Sequence, residues 1–238
     1  MSKATFFIGD VHLNESNSAI YSAFCQFLHD IQHKAEALYI IGDLFDYWVT
    51  NQQISLFHKE VATVIRHFAI KVPVYFCHGN RDFLLNYQYA RLAHIHLLPE
   101  ISIINLYHKR CLIAHGDQFC TDDIAYQRLR ELRNNHYIRQ CFSLLPEKCK
   151  YLIAKKLRNH SKKNNTKKST ILMDVNNDYI NTLFKNYQLN YIIHGHTHKA
   201  NIHDLGHQKK RIDVGDWYHH ISYCQLDLQG IQLIKTEL

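Results

Sequence analysis

Seven residues of this chain have the types and spacing of metal ligands. They are Asp10 and His12 in GDVH, Asp43 in GDLFD, Asn80 in GNRD, His115 in HGD, and His196 and His198 in GHTH. Two carboxylates, one amide and four imidazoles, with no thiolate, suit borderline divalent ions such as Mn²⁺, Fe²⁺ or Zn²⁺ better than Mg²⁺. Seven donors exceed the needs of one ion but fit two ions that share a bridging carboxylate. Such a pair activates water and clamps both oxygens of an in-line phosphoryl displacement. In D-x-H and H-x-H the two side chains fall on one side of an extended segment, so a single strand end can offer two ligands. Any one of these motifs is ordinary turn chemistry. Five in order, each after an apolar run, point to a catalytic site.

The elements that must position them are short apolar runs ending in Gly and a polar residue. Residues 3–9 and 37–42 read as buried strands running into sharp turns, as do Val72 to Cys77, Arg110 to Ala114 and Tyr191 to Ile193. Between them, Ile20 to Ile31 and Leu56 to Phe68 carry apolar residues at helical spacing. Strand alternating with helix predicts an α/β sheet covered on both faces. Ligands in such sheets bind outside the carboxyl ends of the strands. Gly9, Gly42, Gly79, Gly116, Gly195 and Gly215 stand at those ends, where glycine permits positive φ or close backbone approach.

Between Thr121 and Thr170 there are 13 Lys and Arg against 4 Asp and Glu, so the whole net charge of +7 comes from this segment. Arg128 to Arg139 and Cys141 to Leu157 read as helices interrupted at Pro146, followed by a polar stretch from Asn159 to Thr170. This predicts a basic helical insertion at about 122–172 in an otherwise single domain spanning 1–238, lying over the site as a lid. Ile138, Phe142, Leu144, Leu145, Leu152, Ile153 and Leu157 interleave there with Lys148, Lys150, Lys155 and Lys156. A basic amphipathic stretch of this kind suits an anionic lipid surface or a groove for acyl chains. Seven cysteines without a CxxC, an odd number, read as reduced thiols. No apolar run is long enough for a membrane span, and the N-terminus lacks a signal-peptide pattern, so a cytoplasmic chain is expected.

The ordered motifs resemble the calcineurin-like metallophosphoesterase superfamily, over Asp10 to Tyr218. The resemblance implies a β-sandwich flanked by helices with a dinuclear site at the strand ends. It would place Asp10, His12, Asp43 and His198 on one ion, and Asp43, Asn80, His115 and His196 on the other, with Mn²⁺ the expected metal. Most members carry His after the motif Asn, whereas this chain has Arg81. Together GDLFDYW, HGNRDFLL, HGDQFCTDD, NHSKKNNTKKSTILMDVN and IHGHTH are similar to the branch acting on UDP-2,3-diacylglucosamine in Gram-negative lipid A synthesis.

That resemblance implies hydrolysis of the substrate's pyrophosphate by metal-activated water attacking the α-phosphorus, giving UMP and 2,3-diacylglucosamine 1-phosphate. Arg81 would be catalytic. Asn80, Arg81, Asp123, Ser161, Asn165, Lys168 and His196 would contact the polar head. The expected location is the cytoplasmic face of the inner membrane, bound peripherally to its anionic surface, with no nucleic-acid partner. Arginine cannot donate a proton near neutral pH, but a sugar phosphate leaving group, with a second pKa near about 6, needs no general acid. The alternatives are another dinuclear phosphodiesterase or a nuclease, which would show stacking platforms in its basic groove. A non-catalytic scaffold or a membrane-binding module would not require a full ligand set.

Overall fold

The computed structural model describes residues 3–49, 54–146, 148–153, 156 and 174–238. Two compact units emerge, one of Met1–Gly116 with Leu183–Leu238 and the other of Asp117–Thr182.

In the first unit the strands are β1 (Ala4–Ile8), β2 (Ala35–Ile41), β3 (Val74–Cys77), β4 (His96–Leu97), β5 (Ile101–Leu106) and β6 (Lys109–Ala114), then β7 (Tyr191–His194), β8 (Asn201–Asp204), β9 (Lys210–Asp213), β10 (His220–Asp227) and β11 (Gly230–Glu237). They form a six-stranded sheet, β11-β10-β1-β2-β3-β4, and a five-stranded sheet, β5-β6-β7-β9-β8. Strands β1 to β4 run parallel, as do β6, β7 and β9. The apolar runs of β1 and β2 are continuous because both faces are covered. Phe6, Ile8, Leu38 and Ile40 pack against helices α1 (Ser18–Ile31), α2 (Leu56–Ala69) and α3 (Tyr87–Ala93). Phe7, Tyr39 and Ile41 point the other way, onto Cys111, Ile113, Ile193 and Ile212 of the second sheet. The first sheet is covered on both faces, as strand–helix alternation predicts, with helices on one face and the second sheet on the other, which makes the sandwich flanked by helices that the family resemblance implies. Side-chain alternation with period 2 lets one strand feed both cores.

The second unit holds a 3₁₀ turn at Asp117–Phe119, α4 (Ile124–Asn134), α5 (His136–Leu144) and most of α6 (Asn177–Tyr187). The helix expected from Arg128 to Arg139 is broken at Asn135, which is extended at ψ 125° and accepts hydrogen bonds from the Tyr137 and Ile138 amides. An Asn side chain competes with the helix for backbone donors and caps the next one instead. Helix α5 ends at Leu144, and Leu145, ahead of Pro146, is extended. Asp117 is buried and accepts from Tyr126 Oη (3.0 Å), Arg130 Nε (3.2 Å) and Arg133 Nη2 (3.0 Å).

Candidate metal centre

The parallel strands deliver the expected ligands to one end of the sandwich. Asp10 and His12 follow β1, Asp43 follows β2, Asn80 and Arg81 follow β3, His115 follows β6, and His196 and His198 follow β7. The loops after β1 and β2 stay paired, with amide bonds from Asp10 to Gly42 (3.1 Å) and from His12 to Asp43 (3.0 Å). Asp10, His12, Asp43, His196 and His198 all hold positive φ, between 50° and 69°. Gly79 and Gly195 do not, and of the two candidate ligands that follow them His196 is left-handed while Asn80 is not. Those two glycines serve close approach instead, since a Cβ on Gly79 would collide with Asp43 Oδ1 and one on Gly195 with Asp10 Oδ2.

Two groups of donor atoms lie within 4.8 Å of one another, Asp10–His12–His198 and Asp10–Asp43–His115. Asp10 belongs to both, while Asp43, the expected bridge, belongs to one. Asn80 Oδ1 is 3.1 Å from His115 Nε2, and the His196 ring meets the His115 ring edge-on at 5.1 Å. Asp10 Oδ1 and both ring nitrogens of His12 are buried without a hydrogen-bond partner. Buried polar atoms are normally satisfied, and carboxylate and imidazole atoms left open side by side fit a divalent ion. His115 Nδ1 lies 3.0 Å from the Ile41 carbonyl, and His198 Nδ1 lies 2.8 Å from Asp216 Oδ2. Each contact favours the tautomer that leaves Nε2 free for metal.

Burial pushes His12 down to about 4, which keeps the imidazole neutral and able to ligate. Burial raises the Asp43 carboxyl to about 7 against the pull of His115, with Asp10 adding repulsion. For Asp10, burial is outweighed by His198, then His115 and His12, which hold it well below the usual carboxylate range. Burial works against charge on His198 too, but Asp10 and Asp216 raise it to about 10. Metal would therefore displace a proton from between two carboxylates.

Arg81 donates its amide to Asp43 Oδ1 (2.8 Å), and its guanidinium lies 3.9 Å from Asp43 and 4.0 Å from Asp46. Asp82, the next residue in the chain, is buried and accepts from the amides of Gly79 (2.8 Å) and Leu44 (2.8 Å), so it shapes the turn rather than pairing with Arg81. Asp123 caps α4 by accepting from the Tyr126 amide. Ser161, Asn165 and Lys168, with Lys155 and Leu157, lie outside the described residues. Sequence reasoning missed the roles of Asp46 and Tyr218. Their only signal was proximity in sequence to GD turns.

A model of the calcineurin-like phosphoesterases matches residues 5–200. The chain belongs to that family. Among curated relatives of this phosphoesterase, the UDP-2,3-diacylglucosamine hydrolase of Shewanella sp. (strain W3-18-1) is 44% identical over 96% of this chain and 95% of that protein. The protein of the same name from Histophilus somni (strain 129Pt) is 42% identical over 98% and 100%. The crystal structure of Chaetomium thermophilum Vps29 superposes with a TM-score of 0.50 at 10% identity, covering 100% of this chain and 98% of that one. It shares the fold alone.

Proposed function

We propose that this phosphoesterase hydrolyses UDP-2,3-diacylglucosamine, the substrate its relatives are named for, to UMP and 2,3-diacylglucosamine 1-phosphate within lipid A synthesis. Asp10, His12, Asp43 and His198 would hold one divalent ion, and Asp43, Asn80, His115 and His196 the other, with Mn²⁺ suited to the mixed oxygen and imidazole set. Such ions supply water activation and neutralise charge on phosphoryl oxygens.

Arg81 carries the reading toward a pyrophosphate. Its amide is fixed on Asp43 and its guanidinium faces Asp43 and Asp46, so a permanent cation stands beside the candidate ligands. It neutralises charge that grows on the equatorial oxygens of the α-phosphoryl group. When the bond between the α-phosphorus and the bridging oxygen breaks, the electron pair leaves on a sugar phosphate that needs no proton. Asn80, His196 and the Lys168 ammonium would contact the phosphates, Ser161 and Asn165 would offer neutral hydrogen bonds to the polar head, and Asp123 would accept from a sugar or uracil donor.

Residues 122–172 would serve as a lid for the acylated end of the substrate and for the anionic inner-membrane surface. Ile124, Leu132, Tyr137 and Leu144 support this, because all are exposed and α4 and α5 bury no residue.

The test is UMP release by metal-stripped protein given Mn²⁺ and UDP-2,3-diacylglucosamine, against a bis-p-nitrophenyl phosphate control. The expected result is metal-dependent UMP release far above the control. In Arg81→His this rate should fall by about 10²-fold, with metal content unchanged. Turnover of the generic diester alone would replace the proposal with a phosphodiesterase or nuclease.

A further inference from the structure

The turn after β9, Gly215-Asp216-Trp217-Tyr218, ends on two side chains that hold no ion themselves but grip two that would. Trp217 anchors it. Its side chain is fully buried, its indole donates to the Ser222 carbonyl (2.9 Å), and its ring meets Phe27 edge-on at 5.5 Å. Its amide also reaches the Asp10 carbonyl at 3.3 Å. The residues flanking this anchor face the ligand rings. Asp216 Oδ2 meets His198 Nδ1 at 2.8 Å, and its other oxygen accepts the Tyr218 amide at 3.1 Å. The Tyr218 ring stacks on His12 (5.2 Å, 14°) and on His198 (5.6 Å, 18°), and those two rings stack on each other (5.3 Å).

This bracing falls on ligands of one donor group. His115, in the other group, is oriented by a backbone carbonyl and meets His196 edge-on. We infer that Asp216 and Tyr218 are positioning residues for one divalent ion of the pair: they hold the His12 and His198 rings in ligating orientation at the Asp10–His12–His198 site. The inference rests on the dinuclear reading above. A carboxylate on the far nitrogen fixes the His198 tautomer, and the stacked Tyr218 ring restrains rotation of the His12 imidazole, whose ring nitrogens have no hydrogen-bond partner.

The test is Mn²⁺ titration of the metal-stripped full chain, following free Mn²⁺ by electron paramagnetic resonance, with no substrate present. In Tyr218→Leu and in Asp216→Ala, one of two affinities should weaken 10- to 100-fold while the other stays within about 2-fold. Tyr218→Phe, which keeps the ring, should bind as the wild type does. If both sites weaken together, or neither changes, the inference is overturned, and should Tyr218→Leu fail to fold, Asp216→Ala decides it by the same criterion. A wild-type chain that binds fewer than two ions overturns the dinuclear reading itself. Unchanged variants beside a two-ion wild type sink only the positioning role.

Discussion

Asp10, His12, Asp43, His196 and His198 each occupy a backbone conformation that costs an L-residue about 1–2 kcal/mol. Asp and His tolerate it better than most side chains, and the paired loops after β1 and β2 hold Asp10, His12 and Asp43 there. A histidine elsewhere shows burial acting without a metal role. His58 packs edge-on against Phe45 and Trp48, both at 4.6 Å, and its Nδ1 lies 2.9 Å from Ser55 Oγ. Burial pushes it down to about 4 from 6.5. The unfolded chain therefore takes up a proton near 6.5 that the folded chain refuses until about 4, so stability is full above that window and is lost as pH falls through it. Between neutral pH and about pH 5 the expected loss is ~1–2 kcal/mol, allowing for partial exposure. Urea midpoints against pH should fall less steeply in His58→Phe than in the wild type, and equal slopes would reject the assignment.

Helices α4 and α5 follow a different logic from the sandwich. With no buried residues of their own, they depend on caps and on the Asp117 cluster. Asp117 draws together Tyr126, Arg130 and Arg133 from successive turns of α4, and both arginine side chains are only 14% exposed. Replacing Asp117 by Ala leaves two largely buried cations facing each other. It should cost about 3 kcal/mol, read as a lower urea midpoint or as a separate early transition of this unit. Asp117→Ala with the wild-type midpoint would show the cluster to be ornamental to stability. The cluster was not legible in HGDQF. An HGD turn reads as site chemistry, and nothing local says that the aspartate turns to arginines 13 and 16 residues further on.

For the whole molecule the consequence is a division of charge. One segment carries the excess of basic residues and the rest of the chain is nearly balanced. Among the described residues no helix is long and apolar enough to cross a membrane. The membrane part of the proposal places attachment on the basic surface. Binding to vesicles containing anionic lipid should be weakened by salt, and Lys148→Glu combined with Lys156→Glu should reduce co-sedimentation several-fold. Binding that ignores both salt and charge reversal would remove the membrane part of the proposal.

The amino-acid sequence alone determined the strand ends and the donor types. The runs ending at Ile8, Ile41, Cys77, Ala114 and Ile193 are mostly apolar because both faces of their strands are covered, and a polar residue follows each within two positions. All seven cysteines are free thiols, as their odd number and spacing indicate. Tertiary structure showed the facing sheets that the family resemblance implied and the apolar runs alone left open, because a continuous apolar run is the same whether a helix or a second sheet covers it. It also decided the partners of single side chains: Arg81 beside Asp43 and Asp46 rather than Asp82, and Tyr218 across His12 and His198. Those pairings join residues up to 206 positions apart. Local pattern constrains a residue's face, and only the packed chain determines what that face meets.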